Sequence, residues 1–188
     1  MSDNNKSNNR KTLIIFVLVF LVPVVLAWFA LQGDWFNKGA TNKGELLNPA
    51  IEMPELLRGE KPFWRLVYVL PANCDARCKN AIYSLNQVWI AAGKEQDRIV
   101  PTVLIMPDSD TNAVESLSAE SHFVLLNTQS DYLDKVFKKQ TVSGIFIADT
   151  LGNVILRYPL SSEQQQAVLN SRDILADLRK LLKLSRIG

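Results

Sequence analysis

The chain has 188 residues, 21 Lys and Arg against 19 Asp and Glu for a formal charge of +2, and a hydrophobic fraction of 47%. A charge this small and unpatterned excludes a nucleic-acid binder held by electrostatics. With only two cysteines the chain is not a disulfide-dense scaffold.

Met1–Lys11 is polar and carries Lys6, Arg10 and Lys11 against Asp3. Leu13–Leu31 then runs 19 residues without a charge, long enough to cross a bilayer core. Pro23 kinks such a helix without excluding it. Basic residues before the segment place the amino terminus in the cytoplasm and the remainder outside, and Trp28 and Trp35 suit an interfacial aromatic belt. A cleaved signal peptide has a shorter apolar core and a small-x-small site, for which only Val25-Leu26-Ala27 is available. The expected organisation is a cytoplasmic tail over 1–11, a transmembrane helix over 12–31, a linker over 32–60 and one domain over 61–188. The linker assignment rests on Gly33, Gly39, Gly44, Pro49 and Pro54 with scattered charges, although Leu46-Leu47 and Leu56-Leu57 could dock on the domain.

Trp64–Leu70 is short and rich in β-formers, so it reads as a buried strand. Beyond it lie the only two cysteines, in Cys74-Asp75-Ala76-Arg77-Cys78. Ala81, Ile82, Leu85, Val88, Trp89 and Ala92 then follow helical spacing, closed by Gly93 as a C-cap. The thiols therefore sit at a strand-to-helix junction, where free amide N–H groups and the helix dipole favour a thiolate. Arg77 and Lys79 push the same way and Asp75 opposes them weakly. Cys78, facing the helix start, is expected to be the more nucleophilic, with Cys74 as the rival. If both were helical, their Cβ atoms would stand about 5–6 Å apart. A disulfide needs about 3.5–4.5 Å, so Cys74 must lie in the loop for the pair to close. The spacing suits a metal clip or a labile disulfide better than a permanent staple, and a structural disulfide is the plainer alternative.

Ile99–Met106 is a second apolar strand, with Pro101 near its start or at an unpaired position. Thr111–Ser118 reads as a short helix and His122–Leu126 as a third strand. Thr128-Gln129-Ser130-Asp131 resembles a capping box that opens a helix through Phe137. Gly144–Ala148, the turn Asp149–Asn153 and Val154–Tyr158 form a hairpin signature, and Ile174, Leu175, Leu178, Leu181 and Leu182 mark a closing helix. The order is α/β, with a parallel part and a C-terminal antiparallel β-hairpin in one central mixed sheet with flanking helices. A cysteine pair after the first strand of that layout points to a thioredoxin-like domain.

The single anchor, Cys74–Cys78 after Val67–Leu70, the strand ending Met106-Pro107-Asp108, the Gly144–Tyr158 hairpin and Asp177-Leu178-Arg179-Lys180 in the closing helix together resemble one family. The chain is similar to the Sco/SenC class of membrane-anchored thioredoxin-like proteins of cytochrome oxidase assembly. It is closer still to the small thioredoxin-like membrane proteins encoded beside cytochrome oxidase genes in proteobacteria. The resemblance implies a bacterial inner-membrane protein with a periplasmic domain, and oxidase subunits or assembly factors as partners. It also implies copper held by two cysteines and a histidine just before the hairpin. This chain has Lys139-Gln140-Thr141-Val142-Ser143 there, with no histidine. Its one histidine, His122, is expected as a solvated edge-strand residue roughly 15 Å or more from the thiols. Met106 is the other soft donor near the right end of the sheet, weighed against a role as core filler. Asp108 and Asp110 read as capping or loop residues. Three readings follow. Cys74 and Cys78 catalyse thiol–disulfide exchange, or with Met106 they hold Cu(I), or the domain is a tethered interaction module without turnover.

Overall fold

The computed structural model describes residues 4–32, 42–138 and 141–185, in two units divided between Thr41 and Asn42. The first unit is one helix, α1 (Asn4–Gln32), with Pro23 inside it. Within it Lys11–Ala30 makes a 20-residue span of mean hydropathy 3.0. At 1.5 Å per residue such a span covers about 30 Å, the thickness of a bilayer core, so α1 is a candidate transmembrane helix. Trp35 lies outside the described residues, as do Lys139 and Gln140.

The second unit is built on a six-stranded mixed sheet of order β1-β6-β5-β2-β3-β4. The parallel part is β2 (Trp64–Val69), β3 (Ile99–Ile105) and β4 (Val124–Asn127). β5 (Ile145–Ala148) runs antiparallel to β2, and β6 (Asn153–Tyr158) antiparallel to β5. Every residue of β2 is buried, as a strand with neighbours on both edges and layers on both faces requires. Pro101 has no N–H to give, and β4 begins to pair only at the next residue, Thr102 opposite Val124.

One face of the sheet carries α3 (Ala76–Ala92) and α6 (Gln164–Leu184), packed around Leu66, Tyr68, Leu85, Val103, Ile174 and Leu178. The other face is covered by α2 (Pro54–Leu57) and α5 (Ser130–Phe137), around Val67, Leu104, Phe137 and Phe146. Between β3 and β4 runs α4 (Thr111–Ser118), which sends Leu117 into the first cluster. Fully burying one such leucine contributes about 1.5–3 kcal/mol before entropy is set against it. Gly93 takes φ 61° at the end of α3, the C-cap role its sequence position indicates. Gly152, at φ 90° in the β5–β6 turn, has no room for a side chain, because a Cβ there would lie 2.8 Å from Pro54 Cα.

Two expectations need correction. The stretch assigned to a 32–60 linker contains a sixth strand, β1 (Glu45–Glu52), antiparallel to β6, and the short helix α2. Leu47, Ile51, Met53 and Leu57 are buried, so apolar burial fixes this segment to the sheet. The second correction concerns α5. Its N-cap is Gln129 with no side-chain capping bond, so the Thr128–Asp131 box does not form.

The start of β1 is held by a buried carboxylate. Asp177 of α6 is 1% exposed. It accepts from the Lys43 N–H at 2.6 Å, the Gly44 N–H at 2.9 Å, the Tyr158 hydroxyl at 2.9 Å and Lys180 Nζ at 3.2 Å. Gly44 is the residue this approach requires, since a Cβ would stand 2.5 Å from Tyr158 Cζ.

Candidate functional site

The C-terminal ends of β2 and β3 are laced together. The Leu70 N–H donates to the Leu104 carbonyl at 2.9 Å, and the Asp110 N–H to the Pro71 carbonyl at 3.0 Å. Ser109 Oγ donates to the Leu70 carbonyl at 2.7 Å and accepts from the Met106 N–H at 2.9 Å. The loop after β2 is thereby fixed against the loop after β3, and it carries the cysteines.

Cys74 and Cys78 are joined in a disulfide, with Cα atoms 5.0 Å apart. Cys74 lies in the loop, as closure of the pair requires, and Cys78 is the third residue of α3. Cys78 is 1% exposed, whereas Cys74 is half-buried. The helix explains the difference. Cys78, Ala81, Leu85, Val88 and Ala92 form one buried stripe, so the Cys78 sulfur faces the core.

Two carboxylates hold the cysteine backbone. Asp75, the N-cap of α3, accepts from the Arg77 N–H at 2.9 Å and the Cys78 N–H at 3.0 Å. Asp110, the N-cap of α4, accepts from the Ala113 N–H at 3.1 Å and, through its other oxygen, from the Cys74 N–H at 3.0 Å. Both titrate below the ordinary aspartate value, Asp75 chiefly through the Cys78 N–H and Asp110 chiefly through the Cys74 N–H. The expected free amides at the start of α3 are therefore not free. Asp75 occupies those of Arg77 and Cys78, and its backbone carbonyl takes the Lys79 N–H at 3.0 Å. Arg77 also turns its guanidinium onto Asp75 at 3.0 Å, which neutralises part of the charge it would otherwise offer a thiolate. The helix dipole and Lys79 remain as thiolate-stabilising groups, opposed by two ionised carboxylates.

The disulfide separates two grooves. On one side Cys74 joins Lys79, Ile82, Asp110, Ala113 and Leu117. On the other Cys78 joins Tyr68, Asp75, Met106, Val142 and Leu160. Met106 thus reaches the groove of Cys78 while also packing partly against the second core cluster.

A family described as "Transmembrane-like, thioredoxin-like, C-terminal domain" matches residues 64–185. The chain belongs to that family. Several solved structures are similar to the chain. The copper-bound ScoI of Bradyrhizobium japonicum is 18% identical, covering 64% of this chain and 85% of that one, at a TM-score of 0.44. A candidate DsbE-type thiol:disulfide interchange protein of Chlorobium tepidum is 14% identical over 73% and 98% of the two chains, at 0.47. The thioredoxin domain of a thiol-disulfide oxidoreductase from Bacteroides vulgatus is 14% identical over 64% and 80%, at 0.45. No curated protein matches the chain.

In this member of the transmembrane-like, thioredoxin-like family, His122 stands apart from the cysteines. It precedes β4, and the register sets Leu126 beside Leu104 and Leu104 beside Val69. Four residues at about 3.3 Å and two strand spacings of about 4.8 Å separate it from the level at which β2 ends. Its surroundings correct the expectation of a solvated side chain. The ring is half-buried and stacks on Trp89 at 4.4 Å, with Phe123 at 4.5 Å on a tilted plane. Its Nε2 lies 3.5 Å from Glu120 Oε2 without making a hydrogen bond. Among the described residues no three His, Cys, Asp or Glu side chains gather as a metal site.

Asp110 is the cap that its place before a short helix indicates, but its bond to Cys74 carries no local sequence signal, nor do the bonds of Ser109. For Tyr68 the available signal is a phenol at the penultimate position of a buried strand.

Proposed function

We propose that the chain is a membrane-tethered thiol–disulfide exchange protein that uses Cys74 and Cys78 to reduce a partner's disulfide on the outer side of a bacterial inner membrane. The observation that carries this reading is the asymmetry of the pair, one sulfur half-open at a groove and the other withheld beneath it. Two-step exchange uses that asymmetry. The Cys74 thiolate attacks a sulfur of the partner's disulfide and expels the other as a thiolate. Cys78 then attacks the Cys74 sulfur of the mixed disulfide and releases the second partner thiol. The partner gains two electrons, and the domain ends as the Cys74–Cys78 disulfide, which an upstream dithiol re-reduces.

The carboxylates favour the reducing direction. Asp75 and Asp110 oppose a thiolate at either cysteine, so the reduced form gains little special stability. The potential is expected nearer the reducing end of the thioredoxin-like range, about −270 mV, than the oxidising end, about −120 mV. The motif resemblance points to the cysteines of an oxidase copper site, or to an assembly factor that serves them, as the partner. The basic residues before α1 favour a cytoplasmic amino terminus. A reporter fused after Gly188 is expected to be active only on the outer side, and cytoplasmic activity refutes that orientation.

Copper carriage is the second reading, and the placement of Met106 in the groove of Cys78 favours it. A Sco-type site with an imidazole ligand does not fit these residues. Thr141–Ser143 supplies none, and His122 lies at the other end of its strand. Two thiolates and a thioether are soft donors suited to Cu(I). Titration of the reduced full chain is expected to reach at most one Cu(I), with poor Cu(II) binding and no change in His122→Ala. Met106→Leu conserves volume and is expected to cost less than about 1.5 kcal/mol in folding. Cu(I) affinity that collapses in Met106→Leu, with no reduction of insulin by the wild type, reverses the ranking in favour of copper. Absence of both activities leaves a tethered interaction module.

A further inference from the structure

Tyr68 is 2% exposed on β2, with its ring in the cluster beneath α3 that also contains Cys78. Among the described residues its hydroxyl has no hydrogen-bond partner, although it reaches the wall of the groove shared with Cys78 and Asp75. The hydroxyl keeps a trace of solvent contact at that groove, since the fully buried side-chain atoms without a partner among the described residues are those of Trp64, Asn86 and His122. The other buried tyrosine of this sheet follows the ordinary rule, Tyr158 donating to Asp177 at 2.9 Å. Tyr68 therefore brings a donor without a protein partner to the groove that Cys78 also lines, where the sulfur bears no negative charge while it is in the disulfide.

We propose that the Tyr68 hydroxyl is the hydrogen-bond donor that receives the Cys78 sulfur when the disulfide opens. The inference rests on the exchange reading of the same site. A thiolate from a small dithiol attacks the half-exposed Cys74 sulfur, a new S–S bond forms there, and the Cys74–Cys78 bond breaks. Cys78 leaves with the electron pair as a thiolate. Arg77 is not free to meet it, since Asp75 occupies the Arg77 and Cys78 amides and pairs with the Arg77 guanidinium, and Lys79 lines the groove of Cys74 instead. Tyr68 donates to that thiolate and keeps its own proton, because burial and the Asp75 charge hold the phenol well above its usual pKa. The second thiol of the dithiol then attacks the reagent's own sulfur in the mixed disulfide and expels Cys74 as a thiolate. The reagent departs as a cyclic disulfide, and the domain retains two electrons and two protons.

Tyr68→Phe removes the donor and keeps the ring. In the full chain in detergent, dithiothreitol is expected to open the Cys74–Cys78 disulfide about tenfold more slowly in this variant. The dithiol–disulfide equilibrium constant is expected to move about tenfold toward the disulfide, or about 30 mV more negative. Thermal stability of the oxidised protein is expected to be unchanged or higher, because the deleted hydroxyl is unpaired there. That combination separates the role from a structural one, which would lower the melting temperature and leave the equilibrium constant alone. On the wild type, the Cζ resonance of labelled Tyr68 is expected to shift between oxidised and reduced protein, a measurement that does not require the variant to fold. An unchanged opening rate and equilibrium constant in folded Tyr68→Phe, or an immobile Tyr68 resonance, overturns the proposal. A wild type that exchanges with dithiothreitol but with no protein disulfide overturns the exchange reading and leaves the Tyr68 bond standing.

Discussion

In a Cys78→Ser variant, Cys74 is expected to trap its partner as a long-lived mixed disulfide, while Cys74→Ser traps nothing. The unequal burial of the two sulfurs favours the opposite order to the one expected from the sequence. Cys78 was favoured for its position at the helix start, but that position turns its sulfur into the core, where it is 1% exposed. Its amide is already bonded to Asp75, at 3.0 Å. Burial raises a thiol's pKa and closes off its approach, so both factors act against Cys78 as the attacking group. Cys74 keeps part of its surface at a groove with Lys79 on the rim. Alkylation of the reduced variants gives the direct comparison. Iodoacetamide is expected to modify Cys74 in Cys78→Ser at least about tenfold faster than Cys78 in Cys74→Ser, the exposed and less desolvated thiol being the larger thiolate fraction. Equal rates, or a faster Cys78, remove the assignment of Cys74 as the attacking sulfur.

The burial of Cys78 was within reach of the sequence. Counting from Cys78, Ala81, Leu85, Val88 and Ala92 fall at helical intervals on one face, and a cysteine in that series belongs to the core. The parallel strands were legible for a related reason, because Trp64–Val69 and Ile99–Ile105 read as largely apolar runs, interrupted by Arg65 and Thr102, which bond to each other across the strands at 3.1 Å. The edge strand β1 was not. Its pairing with β6 slips between Leu46 and Ile51, so its buried residues, Leu47 and Ile51, fall four apart and not in alternation. Asn48 and Pro49 fill the interval, and both carry the marks of a loop.

The polar contacts of the site were less legible than its apolar ones. Asp110 looks like an N-cap because a short helix follows it, and it is one. Its second oxygen meets a cysteine 36 positions earlier, and no local pattern encodes that contact. Only the parallel register of β2 and β3 brings the two loops together. The same limit applies to Met106, whose place at the end of its strand was legible but whose groove depends on Val142 and Leu160, which arrive from the loops before β5 and after β6.

The largest loss of stability is expected from Asp177→Ala. The carboxylate satisfies the Lys43 and Gly44 amides and the Tyr158 hydroxyl in a buried setting, with Lys180 as a fourth donor. Its removal leaves several buried donors unpaired, at about 1–3 kcal/mol each where water cannot enter, so a total of about 3–5 kcal/mol is expected. Asp177→Asn keeps the shape and one acceptor oxygen, and is expected to cost less. The pH dependence has a definite sign. Burial by itself raises the Asp177 pKa, but the Gly44 N–H, the Tyr158 hydroxyl, Lys180 and the Lys43 N–H outweigh it and hold the group below the ordinary aspartate value. The folded protein therefore binds this proton less readily than the unfolded chain. The stabilisation is fully present above the unfolded value of about 4 and is lost as pH falls through the lower folded value. Denaturant midpoints of the wild type are expected to fall below about pH 4, and the fall should be shallower in Asp177→Asn. Asp75 and Asp110 carry shifts of the same sign, so some acid sensitivity remains in that variant. An Asp177→Asn profile parallel to the wild type would place the acid sensitivity elsewhere, and a loss below about 1 kcal/mol in Asp177→Ala would mean that water replaces the carboxylate at the start of β1.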